Sequence, residues 1–319
     1  MNKLIAVTIG DINGIGIEIL LKEWKKNNIN FFVIFSNIKL IRKYLKKKNI
    51  NIKINHFNKD KSNFKYIKNK LNIFNIKAEN NVVNTYNSLN ESYKYTKKKH
   101  FIGIVTLPIN KNLIISKINK NFIDQTEFFK NKDRKKISNM IFIYKNKFFI
   151  PLTTHIPLNK VMEFYKNKKN ITNKINLINK TLINDFKIKK PKFLISGINP
   201  HCGENGFIGK DEINNLIPII NNLKKNKINI TGPIAGDSMI NKKNIKLYNC
   251  FLFTYHDQAL IPFKILSNYS GVNYTANLNI IRTSPDHGTG YDLVGKRIAS
   301  SKSLINAFKI LKKIKKNRS

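Results

Sequence analysis

Three histidines follow predicted strands, each within a short polar segment. His155 lies in Thr-Thr-His-Ile-Pro, His201 in Asn-Pro-His-Cys-Gly-Glu and His256 in Tyr-His-Asp-Gln. Neutral imidazole is the commonest metal ligand in proteins, and three protein ligands with one open position are typical of a catalytic metal site. Their spacing alone is no metal signature, so three structural histidines are an equally good interpretation.

A second polar segment, Ile280 to Gly290, contains an Arg, several hydroxyl groups, an Asp–His pair and glycines. Arg282 can form a bidentate contact with an anion, and glycines allow a ligand to approach the backbone. This composition suits a phosphate or nucleotide. A polar turn that caps a helix explains the segment equally well.

Three further segments connect a strand to a helix or turn. They are Gly10 to Gly16, Thr106 to Lys111 and Gly232 to Ser238. The first lacks both the dinucleotide fingerprint and the P-loop lysine, so it is a ligand-binding turn or simply a tight one. The second alone favours a plain strand–helix junction. In the third, Asp237 can assist a metal site or cap a helix.

The elements that position these segments alternate between strand and helix. Buried strands are predicted at 4–10, 30–36, 51–57, 101–107, 192–196, 228–234 and 251–255, with helical patterns between most of them, and a further strand at 274–282. A hairpin is expected at Lys145-Asn146. Such alternation predicts βαβ units and a mostly parallel sheet, whose ligands gather beyond the carboxyl ends of its strands.

The formal charge of +41 raises the question of nucleic-acid binding. Nearly all of it is scattered Lys, with only five Arg, whereas selection for phosphate and base contacts should enrich Arg. Compositional drift of the surface towards Lys and Asn is the favoured explanation. No signal peptide, membrane span or disulfide framework is evident. We therefore expect a soluble, cytoplasmic protein that binds no specific nucleic acid and no membrane.

Taken together and in this order, the motifs resemble the 4-hydroxythreonine-4-phosphate dehydrogenase family of pyridoxal phosphate biosynthesis. The resemblance runs from about Leu4 to Lys296 and rests on Thr-Pro-Ile-Asn-Lys, Thr-Thr-His-Ile-Pro, Asn-Pro-His-Cys-Gly-Glu, Tyr-His-Asp-Gln and Arg-Thr-Ser-Pro-Asp-His-Gly-Thr. The combination is specific because the resemblance rests on all five motifs and not on any one of them.

The resemblance implies a two-lobed α/β/α subunit like the isocitrate and isopropylmalate dehydrogenases, with a cleft between the lobes. The predicted lobes are 1–110 with 265–319 on the cofactor side, and 111–264 on the metal, substrate and dimer side. It also implies a homodimer in which one divalent cation (Zn, Mg or Co) is bound at a site shared between subunits.

The resemblance further implies particular site residues. The cation would be bound by His155, His201 and His256, and the substrate by Gln125, Thr126, Lys264, Asn273 and Arg282. Asp286, Gly288 and Thr289 would lie near NAD or NADP. Asp237 and Lys264 are unranked candidates for the group that takes the hydroxyl proton. The implied reaction is metal-assisted, NAD-dependent oxidation of 4-phosphohydroxy-L-threonine, then decarboxylation to 3-amino-2-oxopropyl phosphate and CO2.

The chain departs from the family at Asp124-Gln125, where family members carry Gly-His. Gln125 can hydrogen-bond but cannot carry charge or shuttle a proton. If the family's His is a general acid or base, its loss should lower activity by ~10²-fold or more. The alternatives left open are a related metal-dependent hydroxy-acid dehydrogenase with another substrate, and a basic nucleic-acid-binding protein.

Overall fold

The computed structural model describes residues 4–58 and 64–319 and divides into two compact units. Unit 1 comprises Met1–Lys135 and Leu278–Lys316, and unit 2 comprises Lys136–Asn277 and Asn317–Ser319. These divisions lie farther along the chain than the lobe boundaries suggested by the sequence, at 110 and 264. Within the described residues, none of the helices is long and apolar enough to cross a membrane.

Unit 1 alternates strand and helix along the chain. Its first part contains β1 (Ile5–Thr8), α1 (Ile15–Lys25), β2 (Phe32–Ser36), α2 (Ile38–Lys47), β3 (Ile54–Phe57), β4 (Leu71–Asn75), α3 (Asn81–Lys97), β5 (Ile104–Thr106), α4 (Lys111–Lys117) and α5 (Gln125–Lys132).

Unit 2 opens with a hairpin and then alternates strand and helix. It contains β6 (Asn139–Tyr144), β7 (Lys147–Pro151), α6 (Val161–Lys166), α7 (Lys168–Phe186), β8 (Phe193–Ser196), α8 (Ile217–Lys225), β9 (Ile230–Ile234), α9 (Lys242–Leu247), β10 (Cys250–Phe253), α10 (His256–Ser267) and β11 (Val272–Ala276). The chain then returns to unit 1 with β12 (Arg282–Pro285) and α11 (Lys302–Arg318).

The sheet strands of unit 1 follow the order β3-β4-β2-β1-β5-β12, and every pairing among them is parallel. Strands β1, β2, β5 and β12 are buried along their whole length. Continuous burial of this kind is expected where helices cover both faces of a parallel sheet.

The strands of unit 2 follow the order β11-β6-β7-β10-β8-β9. The pairings β11–β6 and β6–β7 are antiparallel, whereas β7–β10, β10–β8 and β8–β9 are parallel. The predicted hairpin is confirmed: Lys145 and Asn146 both have positive φ, as a two-residue turn between antiparallel strands requires. The predicted α/β class with a mostly parallel sheet is therefore confirmed.

One predicted strand, Tyr274–Arg282, is wrong as a single element. β11 ends at Ala276, and Asn277 has a left-handed φ of 65°. The Asn277 side chain donates to the carbonyl of Ile137, and the Asn279 amide donates to the Asp133 carboxylate. These contacts hold 277–281 out of a ladder, and β12 begins at Arg282.

Candidate functional site

The three histidine segments follow three neighbouring parallel strands of unit 2. His155 comes after β7, His256 directly after β10 and His201 after β8, in a sheet ordered β7-β10-β8. Parallel strands present their carboxyl ends at one edge, with adjacent strands about 4.8 Å apart. Three segments far apart in sequence therefore reach the same edge of one sheet.

His155 and His256 are neighbours in space. The centroids of their rings are 5.6 Å apart. Nδ1 of His256 lies 2.6 Å from a carboxylate oxygen of Asp257. A histidine whose one nitrogen is held by a carboxylate directs the other nitrogen towards a ligand, as second partners of metal-binding histidines commonly do. Nε2 of His256 is thus the nitrogen available to a cation.

His201 lies in a turn, Pro200–Gly206, and is exposed. Within residues 4–58 and 64–319, no group of three or more His, Cys, Asp or Glu side chains is placed to hold a metal ion. The donor chemistry suits a divalent cation, but one chain brings together only two of the three imidazoles. The three-histidine site therefore remains a prediction.

Two side chains that the sequence did not single out form hydrogen bonds between these strand ends. Gln258 accepts hydrogen bonds from the Ser196 hydroxyl and the Thr254 amide, at 2.7 and 2.8 Å, and donates to the Gly197 carbonyl at 3.1 Å. The Thr153 hydroxyl donates to the Thr254 carbonyl at 2.8 Å. These bonds connect the ends of β7, β10 and β8. Gln258 was visible only as the last letter of the Tyr-His-Asp-Gln motif.

The other predicted residues of unit 2 are more scattered. Asp237 lies in a short turn after β9, the strand beside β8, and its charge helps to raise the pKa of the Cys202 thiol, after burial and Glu212. Lys264 is exposed on α10, two turns beyond His256. The amide oxygen of Asn273 in β11 is buried without a hydrogen-bond partner among the described residues, so it can accept from a ligand.

Arg282 is the centre of a buried polar cluster in unit 1. Its Nε and Nη2 donate to the Thr106 hydroxyl at 3.1 and 2.8 Å, and its Nη2 also donates to the Gln125 amide oxygen at 2.7 Å. Nη1 lies 3.4 Å from the Thr126 hydroxyl. Burial lowers the pKa of Arg282 to about 10, partly opposed by the charge of Asp124. The guanidinium is therefore still charged at neutral pH.

The cluster is built from the end of β5, the start of α5 and the start of β12. Asp124 caps α5 by accepting from the Glu127 amide at 2.8 Å, and this places Gln125 and Thr126 in the first turn. Gln125 also donates to the Leu107 carbonyl at 3.1 Å. The structure thus brings together three of the five predicted substrate residues, while Lys264 and Asn273 belong to unit 2.

The segment with the predicted cofactor residues lies against the start of α1. The Thr289 carbonyl accepts from the Ile15 amide at 2.9 Å, and a Cβ on Gly14 would lie only 2.7 Å from that carbonyl. Gly14 is therefore required by packing within the chain. Around Gly288, by contrast, there is open space, and Asp286 donates its amide to the Ser303 hydroxyl.

A further hydrogen-bonded cluster connects Tyr291, which follows this segment, to the turns that contain Asp11 and Asn110. The Tyr291 hydroxyl donates to the Asp11 carboxylate at 2.5 Å and accepts from the Asn110 amide group at 2.9 Å. Asn81 donates to the same carboxylate at 2.8 Å. The sequence identified the turns of Asp11 and Asn110 but gave no sign of Tyr291.

His287 presents a buried nitrogen at this end of unit 1. Its Nδ1 lies 3.0 Å from the Gly288 carbonyl, and its Nε2 has no hydrogen-bond partner among the described residues. Burial lowers the pKa of His287, so the ring is neutral at pH 7. A neutral ring that donates through Nδ1 leaves Nε2 as an acceptor for a ligand.

Mostly parallel strands with helices between them and polar clusters beyond their carboxyl ends place this protein in the α/β class, in which ligands commonly bind at such strand ends. Residues 28–311 match the family model described as pyridoxal phosphate biosynthetic protein PdxA. The chain belongs to this family.

Relatives and a solved structure agree with this assignment. The chain is 34% identical to the 4-hydroxythreonine-4-phosphate dehydrogenase of Sulfurihydrogenibium sp. (strain YO3AOP1), over 98% of this chain and 99% of that one. It is 36% identical to that of Aquifex aeolicus (strain VF5), over 98% of each. The crystal structure of the Klebsiella pneumoniae 4-hydroxythreonine-4-phosphate dehydrogenase has a TM-score of 0.82 at 25% identity, covering 99% of this chain and 98% of that one.

Proposed function

We propose that this protein oxidises 4-phosphohydroxy-L-threonine with NAD or NADP and that the product loses CO2 to give 3-amino-2-oxopropyl phosphate, a reaction of vitamin B6 biosynthesis. The names of the relatives support the substrate and the dehydrogenase chemistry. The single observation that carries the proposal is the placement of three histidines beyond three adjacent parallel strands, where α/β proteins bind ligands.

The residues of unit 1 are suited to bind the anionic groups of the substrate. Arg282 presents a charged guanidinium in a buried setting, where an anionic group of the substrate gains a strong, charge-assisted contact. The hydroxyls of Thr106 and Thr126 and the amide of Gln125 fix the plane of that guanidinium. Arg282 is therefore pre-oriented before the substrate arrives.

The residues of unit 2 are suited to hold the reacting end of the substrate. His155, His201 and His256 would bind a divalent cation, and Asn273 would accept a hydrogen bond from the substrate. Such a cation, when bound, makes a neighbouring alcohol more acidic and stabilises negative charge on oxygen. Asp237, in the turn after β9, and Lys264, on the helix that begins at His256, would be the unranked candidates for the group that takes the hydroxyl proton.

The redox partner would be bound near Asp286, Gly288 and Thr289. Open space around Gly288 leaves room for a ligand against the backbone, and Nε2 of His287 offers it an acceptor. NAD or NADP, when bound, accepts a hydride and leaves as its reduced form. The overall reaction then balances as substrate and NAD giving 3-amino-2-oxopropyl phosphate, CO2 and NADH.

We further propose a homodimer whose metal site takes His155 and His256 from one subunit and His201 from the other. Large apolar side chains that follow each histidine in the chain are exposed: Leu158 is 67% exposed, Phe207 91%, Ile261 61% and Ile265 75%. Large apolar side chains this exposed, on three neighbouring parts of one unit, suit a surface that another protein covers. A second copy that covers these residues would bring its His201 to the pair formed by His155 and His256.

The test is NADH formation from 4-phosphohydroxy-L-threonine, followed by absorbance, with and without a chelator, alongside metal analysis of the purified protein. We expect turnover that the chelator abolishes and that added Zn²⁺, Mg²⁺ or Co²⁺ restores. Turnover that is unchanged after complete metal removal would contradict the metal-assisted reaction. Turnover of unphosphorylated hydroxy acids, without turnover of 4-phosphohydroxy-L-threonine, would contradict the proposed substrate.

A further inference from the structure

Glu212 is a buried carboxylate that lies beneath the segment carrying His201. Its side chain is only 1% exposed. One oxygen accepts from the backbone amides of Ile198 and Asn199, both at 2.7 Å, and the other accepts from the Asn199 amide group at 2.9 Å. A carboxylate taken out of water needs such donors, and hydrogen bonds to a charged acceptor are the strong ones.

The segment that Glu212 contacts has an unusual backbone. His201, Cys202, Glu204 and Asn205 have φ values of 49°, 56°, 41° and 55°, all in the left-handed region. Residues with a Cβ adopt this conformation singly and rarely in runs, because the Cβ approaches the neighbouring carbonyl. A run of this kind persists only where surrounding contacts determine it.

Close packing against Glu212 supplies those contacts. A Cβ on Gly203 would lie 2.3 Å from the Gly209 carbonyl and 2.9 Å from the Glu212 carboxylate. A Cβ on Gly209 would lie 2.6 Å from the Asn199 side chain. Glu212 also begins a π-helical turn, Glu212–Leu216, a feature found frequently at functional sites. The segment that contains His201 therefore packs closely against the Glu212 carboxylate.

We infer that Glu212 is a positioning residue that fixes the left-handed turn and so presets the His201 imidazole for a divalent cation. The inference rests on the proposed function, because it assumes that His201 binds that cation. Both carboxylate oxygens of Glu212 already accept hydrogen bonds from Ile198 and Asn199, so we assign it no role as a ligand. It acts by anchoring the backbone immediately before His201, as partners of metal ligands commonly do.

The decisive variants are Glu212→Ala, which removes both acceptor oxygens and with them all three hydrogen bonds, and Glu212→Gln, which keeps one acceptor oxygen and nearly the same shape. Asp211→Asn is the matched control, because it removes the same charge at the adjacent position, where the Asp211 carboxylate accepts one hydrogen bond among the described residues, from the Asn199 side chain at 3.2 Å. Thermal melting of all three variants establishes that each is folded.

The first readout is amide hydrogen exchange of residues 198–206 in metal-free protein, which reports the turn without any cation. We expect exchange at least about 10-fold faster in Glu212→Ala, an intermediate rate in Glu212→Gln and the wild-type rate in Asp211→Asn. If Glu212→Ala does not fold, Glu212→Gln carries the test. Wild-type exchange in the folded Glu212 variants would overturn the inference.

The second readout is Zn²⁺ affinity by calorimetry. We expect it to weaken about 10- to 100-fold in Glu212→Ala, less in Glu212→Gln and not at all in Asp211→Asn, the range found for partners of metal ligands. Unchanged affinity in both Glu212 variants would overturn the inference. His201→Ala separates this result from failure of the proposed function: if Zn²⁺ affinity survives His201→Ala, the proposed metal site is wrong, and the role of Glu212 towards a cation falls with it.

Discussion

The Arg282 cluster of unit 1 and the histidine segments of unit 2 differ in how far a single chain completes them. Arg282 is buried and donates to Thr106, Gln125 and Thr126, all of which its own unit supplies. In unit 2 the rings of His155 and His256 are adjacent, and the described residues offer no third metal ligand beside them.

This difference follows from what each group can tolerate in isolation. A buried guanidinium must have its donors satisfied within the fold, so the cluster is fixed as the chain folds. His155 and His201 are exposed, and water can solvate an exposed imidazole, so the fold does not require a complete set of ligands around them. We propose that a second subunit completes that set, because Phe207 and Ile265, which follow His201 and His256 in the chain, are 91% and 75% exposed.

The largest expected effect concerns the Arg282 cluster of unit 1. Arg282→Ala should lower kcat/KM by about 10³-fold, because removing one partner of a buried charged contact costs about 4 kcal/mol. Steady-state kinetics with 4-phosphohydroxy-L-threonine measure it. The exposed Arg297 supplies the control, and Arg297→Ala should change kcat/KM less than about twofold if the effect is local. Similar losses in the two variants would show that Arg282 acts only through overall charge.

The next largest effect concerns the proposed subunit interface of unit 2. Ile265→Asp should weaken dimerisation by about 10²-fold or more, because an unpaired carboxylate would be buried twice in a symmetric interface. Sedimentation velocity over a concentration series measures the dissociation constant. Leu247 is 46% exposed on α9 and belongs to no histidine segment, so Leu247→Asp is the matched control. A dimer unaffected by Ile265→Asp would place the interface elsewhere.

A smaller effect is expected within the Arg282 cluster. Gln125→His should raise kcat/KM by about 10-fold. An imidazole restores a group able to carry charge and a proton, worth ~10²-fold, but gives up the hydrogen bond with Arg282, worth about 1 kcal/mol. Gln125→Asn, which shortens the side chain without adding charge, should not raise kcat/KM. An unchanged or lower value in Gln125→His would show that Gln125 is the better residue in this chain.

The sequence predicted features that depend on residue type and period. The apolar runs predicted the parallel strands, and the polar pair Lys145-Asn146 between two apolar runs predicted the hairpin, because Asn is one of the residues that adopt positive φ readily. Features that depend on contacts between distant residues were not predictable. The break at Asn277 depends on bonds to Ile137 and Asp133, more than a hundred residues away.

The candidate site shows the same limit. His155, His201 and His256 could be found because few His occur and each follows a strand. Glu212 and Gln258 could not be assigned roles, because the residue type does not show whether a carboxylate or an amide is buried or exposed. Only the fold shows that Glu212 lies beneath the His201 turn and that Gln258 joins β10 to β8.

Complementation between inactive variants tests most directly the claim that the metal site is completed by a second subunit. His155→Ala and His201→Ala subunits, co-expressed with different affinity tags and purified through both, form heterodimers in which one of the two sites keeps all three histidines. We expect about half of the wild-type NADH formation from these heterodimers, and none when His155→Ala is paired with His256→Ala. Inactive heterodimers of His155→Ala with His201→Ala would contradict a shared site.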